Sequence, residues 1–322
     1  MADIVVIGSL NMDFVAFTER APCEGETLIG DSFAMAPGGK GANQAFAAAK
    51  LGADVAMCGR IGLDAFGALL KADLEAVGCD ITCIREQPGA SGAALITVET
   101  STGANRIVVI PGANATYAPN EWRMDAAVLA GAKIALFQLE TPIETVLIAT
   151  ASAKAAGVKV MLDPAPAREL PDELLRRVDF LTPNETELAA LIGHNGDAMN
   201  ERQLVDAVKA LLSMCPSTVV AKLGARGCLA ANQNEILRFS GATVYAVDTT
   251  AAGDIFNAAL AVAISEEASP AQSCAFATHA AALSVTRAGA QPSAPTRCEV
   301  EAAMRTSPIR PTIISTSLRT TP

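Results

Sequence analysis

The chain has 322 residues, a mass of 33.0 kDa and a formal net charge of −10, from 34 acidic and 24 basic side chains. Hydrophobic residues make up 51% and charged residues 18%, enough apolar content for one large domain with a sizeable core, which excludes wholesale disorder. The acidic balance without a basic block argues against nucleic acid or an anionic membrane as a partner, and two histidines, His194 and His279, exclude a His-rich metal site.

The opening MADIVVIGSLNMD has a short apolar run and no basic flank, so it reads as a first strand and not as a targeting segment. No stretch approaches the roughly 18 apolar residues of a membrane span, and a cytoplasmic location is expected. The eight cysteines, Cys23, Cys58, Cys79, Cys83, Cys215, Cys228, Cys274 and Cys298, are scattered and read as mostly buried free thiols. Cys79 and Cys83 lack the second pair that a zinc site would need.

In chain order, residues 4–7 form a continuous apolar strand, and 42–51 form a helix closed by Gly52. Further apolar strands are expected at 55–58, 134–137, 158–162, 178–181 and 218–221, with a short run at 244–247. Thr141-Pro142-Ile143-Glu144 and Thr182-Pro183-Asn184-Glu185 have capping-box spacing, as does Ser269-Pro270 with Gln272. Continuous apolar strands alternating with helices imply a mostly parallel sheet covered on both faces. Half-polar strands at 14–17, 27–35, 92–98 and 107–110 do not fit that scheme. They predict a small separate sheet, or lid, built from segments near 14–36 and 90–111. Residues 1–306 are expected to form a single domain, and 307–322, rich in Ser, Thr and Pro, a loose, disordered tail.

Polar clusters follow the predicted strands: GSLNMD (8–13), QLETP (138–142), DPAPA (163–167), TPNETE (182–187), KLGARG (222–227) and DTTAAGD (248–254). In an open parallel sheet all such ends face one crevice, so six clusters point to one shared site. In the last cluster, small residues Ala251, Ala252 and Gly253 lead into a helix beginning near Asp254. Consecutive backbone N–H groups there would form an anion hole, with Asp254 beside it as a proton acceptor. A plain helix-terminal charge is the alternative reading of Asp254. PGGKGANQ (37–44) is a second Gly-rich loop opening a helix, without the P-loop spacing, and no GxGxxG follows the first strand. Gly38, Gly39 and Gly41 allow close backbone approach, and Lys40 and Asn43 add directional polar groups. Asn11 and Asp13, two apart in an extended stretch, point one way and suit adjacent hydroxyls of a polyol. Glycine turns at a helix start are the structural alternative for this loop.

Taken in order, GSLNMD, PGGKGANQA, FQLETP, DPAPAREL, PNETE, KLGARG, VDTTAAGDIF and SVTRAGAQPS resemble the motifs of the ribokinase-like (PfkB) carbohydrate kinase family over residues 4–304. The resemblance implies a three-layer αβα sandwich with a mostly parallel central sheet and a small β-sheet lid, and a homodimer formed through the lids. It implies phosphoryl transfer from Mg-ATP to the 5-hydroxyl of D-ribose. Another sugar or nucleoside (deoxyribose, fructose, 2-keto-3-deoxygluconate, pseudouridine) is the alternative acceptor. By the same resemblance Asn11, Asp13, Gly39, Lys40, Asn43 and Glu140 hold the sugar, with Ala94 and Ile96 over it. Asn184, Glu187, Lys222, Gly224, Gly227, Gly253 and Thr278 belong to the nucleotide and Mg²⁺–phosphate region. Ala251, Ala252 and Gly253 make the anion hole and Asp254 is the base. Asp248, Thr250, Ser284, Arg287, Gly289 and Ser293 match a site for K⁺, whose hard oxygen ligands they could supply. Lys222 stands where the family commonly has a small hydroxyl residue, and the adenine-side position falls at Thr278 or His279.

Overall fold

The alternation of buried side chains in the first strand, β1 (Ile4–Ile7), sets up the layers: Ile4 and Val6 enter one apolar core, Val5 and Ile7 the other. The structure, a computed structural model, describes residues 1–194, 198–214 and 218–316. After β1 come β2 (Asn11–Thr18), β3 (Ser32–Gly38), α1 (Lys40–Lys50), β4 (Val55–Gly62), α2 (Ala65–Ala76) and β5 (Asp80–Gln87). Next are β6 (Gly92–Glu99), β7 (Asn105–Ile110), α3 (Pro119–Asp125), β8 (Ile134–Phe137), α4 (Ile143–Ala155), β9 (Lys159–Leu162) and α5 (Asp172–Leu175). Then follow β10 (Phe180–Leu181), α6 (Glu185–Leu191), α7 (Glu201–Met214), β11 (Thr218–Lys222), β12 (Cys228–Asn232) and β13 (Glu235–Phe239). The chain closes with α8 (Ala252–Ser265), α9 (Pro270–Ser284), α10 (Arg297–Thr306) and β14 (Thr312–Thr316).

The main sheet has ten strands in the order β14-β13-β12-β11-β10-β9-β8-β1-β4-β5. It is parallel from β11 to β5 and antiparallel through β12, β13 and β14. One core packs α1, α2, α8, α9 and α10 on one face, and the second packs α3, α4, α6 and α7 on the other, giving the expected αβα sandwich. The half-polar strands form a separate sheet, β3-β2-β6-β7. In it Asn11, Asp13 and Val15 stand opposite Gly92, Ala94 and Ile96. Among the described residues no helix is long and apolar enough to cross a membrane.

Several sequence expectations shift. Residues 244–247 form no strand; the edge of β11 is taken by the β12–β13 hairpin, and Tyr245 and Val247 stay exposed. The second strand of the small sheet starts at Ser32, not at Thr27. Thr141 does not cap α4, whose N-cap is Pro142. Thr182 remains in extended chain, its N–H bonded to Leu162 O at 3.0 Å, so the capping box of α6 is Asn184 with Glu187. Ser269 and Gln272 do form the expected box. The expected tail is partly ordered: Thr312–Thr316 pairs with β13, while 317–322 lie outside the described residues. Of the cysteines, Cys58, Cys79, Cys228 and Cys274 are buried, Cys83 is half-buried, Cys23 and Cys298 are exposed, all seven free; Cys215 lies outside the described residues.

Candidate active site

Helix α8 begins without a side-chain cap. Its N-cap Ala251 sits at φ +57°, a left-handed conformation that costs a residue with a side chain on the order of 1 kcal/mol. The Ala252 N–H makes one long bond to Thr249 O at 3.3 Å, and those of Ala251 and Gly253 have no protein partner among the described residues. The helix dipole and these open donors together favour an anion at this point.

Asp254, in the first turn, is buried at 6% exposure. Its Oδ2 accepts from Asn43 Nδ2 at 3.0 Å and its Oδ1 from Gln44 Nε2 at 3.1 Å, both from α1. Gln44 Nε2 also donates to Asp163 Oδ2 at 3.1 Å, and Gln138 Nε2 fixes Gln44 by donating to its Oε1 at 2.7 Å. Lys222 Nζ lies 2.9 Å from Asp163 Oδ1. Burial raises the Asp254 carboxyl above its usual range; Lys40 opposes this, Asp163 adds to it, and the Asn43 and Gln44 bonds oppose it. A raised carboxyl pKa beside open amide donors is the arrangement a general base requires.

The small sheet supplies the other wall. Asp13 is buried, and desolvation, then the charges of Glu140 and Asp254, push its carboxyl up to about 7. Burial alone would lower the Lys40 ammonium, but Asp254, Asp163, Glu140 and Glu187 outweigh it and hold the group above its ordinary value. Glu140 accepts from Ser9 Oγ and from Lys40 N. Gly39, at φ +89°, starts α1 where a Cβ would fall 2.7 Å from Asn11 N, so only glycine lets α1 approach the β1–β2 crossing. Asn43 Oδ1 is buried without a partner, an acceptor left over inside the pocket. Ala94, buried, and Ile96, half-buried, share the face of the small sheet that carries Asn11 and Asp13.

On the far side of α8 lies a cleft of about 540 Å³, lined by Lys222, Gly224, Gly227, Gly253 and Thr278 among others. A Cβ on Gly253 would stand 3.6 Å from Lys222 Nζ, so the lysine reaches the start of α8. Asn184 and Glu187 sit beside it: Asn184 bridges to Lys222, and Asn184 Nδ2 donates to Glu187 Oε1 at 2.8 Å. Burial raises the Glu187 carboxyl, which Lys222 opposes and Asp163 reinforces. Thr278 faces the cleft. His279 has ring nitrogens 2.7 Å from Ala275 O and 2.8 Å from Ser307 O, so it fastens the C-terminal segment to α9.

The third group of predicted residues meets at two loops. Asp248 Oδ1 accepts from Thr250 N at 2.9 Å and Oδ2 from Gly289 N at 2.8 Å, which ties 248–254 to the turn after α9. These bonds outweigh burial and hold Asp248 below its usual range. Ser284 and Ser293 donate their hydroxyls to Ala281 O and Ala290 O, leaving oxygen lone pairs as acceptors. The Arg287 guanidinium pairs with Glu299, so only its backbone carbonyl could serve a cation. A carboxylate, hydroxyls and carbonyls are a donor set that fits K⁺.

The predicted residues thus fall into three groups around the start of α8, and the sequence reading gives no role to four side chains that hold them. Gln44, Gln138, Asp163 and Ser9 hold the named groups in place. Asp163, Gln138 and Ser9 fall in the strand-end clusters and Gln44 ends the Gly-rich PGGKGANQ loop, but nothing local gives Gln44 a role, because its partners Gln138, Asp163 and Asp254 lie far along the chain.

Residues 1–297 match the family model described as pfkB family carbohydrate kinase. The chain is 42% identical over 297 residues to a ribokinase of Haemophilus influenzae, covering 92% of this chain and 96% of that protein. It is 36% identical over 295 residues to a deoxyribokinase of Salmonella typhimurium, covering 91% and 95%. The structure of an Arabidopsis thaliana ribokinase complexed with ribose and ATP superposes with a TM-score of 0.87 at 35% identity, over 94% of this chain and 99% of the other. The chain belongs to the pfkB family of carbohydrate kinases.

Proposed function

We propose that this protein is an ATP-dependent ribokinase, transferring the γ-phosphoryl group of Mg-ATP to the 5-hydroxyl of D-ribose. The observation that carries the reading is the place of Asp254. Its carboxylate is bonded to Asn43 in the polyol pocket, and it adjoins Gly253, which lines the nucleotide cleft. The similarity to ribokinases names the sugar.

The sugar lies against the Asn11 and Asp13 face of the small sheet, under Ala94 and Ile96. Its hydroxyls donate to Asp13, Glu140 and the free Asn43 Oδ1, while Lys40 offsets the three crowded carboxylates. Asp254 accepts the proton of the 5-hydroxyl as that oxygen bonds to the γ-phosphorus and the bond from phosphorus to the β-phosphate oxygen breaks. The amides of Ala251, Ala252 and Gly253 meet the charge on the transferring group, and ADP leaves. Such catalysis is mostly positioning and electrostatics.

Lys222 faces the phosphates from the cleft side. Glu187 and Asp163, next to it, would supply the one or two carboxylates that Mg²⁺ on a nucleotide needs, and the ion would neutralise phosphate charge there. Bound K⁺ at Asp248, Thr250, Ser284, Arg287, Gly289 and Ser293 would stiffen the anion-hole loop. The small sheet closes over the sugar and excludes water. Its other face exposes Phe33, Met35, Leu95 and Val108, an apolar surface suited to a second copy of the chain.

The test is an ATP-consumption assay with Mg-ATP and a panel of ribose, deoxyribose, fructose and adenosine. Ribose should be turned over with the highest kcat/KM. Deoxyribose is the second reading, favoured by the deoxyribokinase similarity. A clear preference for fructose or adenosine would overturn the assignment.

A further inference from the structure

The small sheet is joined to the main sheet by four crossings, and three of them meet at one side chain outside the residues discussed so far. Asn114 lies in the turn Gly112–Thr116, just after β7, and is 1% exposed. Its Oδ1 accepts from Leu10 N at 3.0 Å. Its Nδ2 donates to Leu10 O at 3.0 Å and to Asn11 Oδ1 at 2.8 Å. Leu10 and Asn11 are where the chain leaves β1 for β2, so one amide stitches the outgoing crossing to the returning one. The third crossing enters at Gly92, the residue opposite Asn11. A Cβ there would fall 2.2 Å from Asn11 Oδ1 and 2.2 Å from Asn114 Nδ2, so only glycine leaves room for this bond.

We propose that Asn114 is a positioning residue for the sugar: it fixes the Asn11 side-chain amide with its NH₂ end turned toward the ligand. This rests on the reading that Asn11 contacts the sugar. An amide has one accepting end and one donating end, and which way it points follows from its neighbours. Leu10 N–H can only donate, so it sets the Asn114 oxygen. The Asn114 NH₂ is then a donor, and Asn11 must answer with its oxygen. The Asn11 NH₂, the end of the amide that this bond leaves unused, then faces away from Asn114.

The consequence is chemical complementarity within the pair. Asn11 presents a donor and ionised Asp13, two residues on, presents an acceptor. Neighbouring sugar hydroxyls can then accept from Asn11 and donate to Asp13. With the Asn11 amide reversed, two acceptors would stand side by side, and one hydroxyl oxygen would lose its donor.

Asn114→Asp tests this. The aspartate can still accept from Leu10 N, but it no longer donates, so the bond to Leu10 O is lost and Asn11 reverses to donate to it. The ribose Kd by calorimetry and the ribose KM should both rise roughly 10–100-fold, the range for a mispaired buried polar group, while kcat and the KM for ATP change less than about 3-fold. Asn11→Ala should raise the ribose KM by itself. The double variant should match Asn11→Ala, because Asn114 acts through Asn11. If Asn114→Asp fails to fold, Asn114→Ser removes the reach to Asn11 without adding charge and should raise the ribose KM roughly 3–10-fold. An unchanged ribose KM in the folded Asn114 variant, with Asn11→Ala impaired, overturns the positioning role and leaves the sugar-site reading standing. Additive effects in the double variant overturn it as well. No effect of Asn11→Ala overturns both.

Discussion

Replacing Asp254 by Asn removes the proton acceptor and keeps the size of the side chain, and the structure says what the neighbours would do. Asp254 accepts from Gln44 Nε2 at 3.1 Å and from Asn43 Nδ2 at 3.0 Å. An asparagine can accept only one of these. Gln44 cannot turn, because its oxygen is held by Gln138 and its nitrogen also serves Asp163. Asn43 can turn, because its Oδ1 has no partner. The new oxygen therefore faces Gln44 and the new NH₂ faces a reversed Asn43, whose own NH₂ takes the partnerless place in the pocket that its oxygen held. A carboxylate that burial disfavours is removed at the same time, so thermal stability should hold or rise. Turnover should fall about 10²–10⁴-fold, equivalent to about 2.7–5.5 kcal/mol of barrier. The ribose KM should rise a few-fold at most, about the value of one modest hydrogen bond, because Asn43 now presents its NH₂ to the pocket. Steady-state kinetics and a melting curve on this variant give all three quantities. Turnover within about tenfold of wild type, below the usual value of a general base, with lowered stability would show that Asp254 is a helix-terminal charge and would refute the mechanism.

Asp13 gives a stability prediction with a sign. Its folded pKa is raised from 3.8 to about 7, so the native state keeps a proton that the unfolded chain has already released, and stability falls as pH rises across that window. Asp13→Asn should therefore stabilise the free protein at pH 8 by up to roughly 4 kcal/mol, with the gain vanishing near pH 3–4, while ribose affinity is lost; melting curves showing no pH-dependent gain would contradict this. Exchanging Na⁺ for K⁺ at matched ionic strength should raise turnover, and equal rates would remove the cation assignment at Asp248 and its partners. Ending the chain after Thr306 strips β14 and takes Ser307 O from His279, so the melting temperature should fall by a few degrees, for a loss of about 1–3 kcal/mol. An unchanged melting temperature would make the segment the loose tail that its composition suggests.

The parts legible in the sequence are those set by local chemistry. Apolar runs such as 4–7 and 134–137 could only be doubly covered parallel strands, and the polar residues after them share a crevice because every strand runs the same way. Illegibility begins where long-range pairing decides. Thr182 and Asn184 both offer a capping frame, and the chain uses Asn184 because Thr182 is still bonded to Leu162 at the end of the strand. Residues 244–247 look like strand, but the edge of β11 is already taken by the β12–β13 hairpin. Thr312–Thr316 looks like tail, but β13 offers it an edge. Within the site, Asp254 and Lys40 stand out by position in a motif. Asn114 does not, because its worth lies in contacts with residues far along the chain.

The most direct test of the account is to identify the product made from ribose. Purified protein, Mg-ATP and D-ribose labelled with ¹³C should be followed by phosphorus and carbon NMR. The account predicts stoichiometric ADP and a single sugar phosphate, with the phosphoryl group on the 5-oxygen, since Asp254 accepts the proton of that one hydroxyl at the start of α8. Phosphorylation at another oxygen, or ADP released without any sugar phosphate, would contradict it.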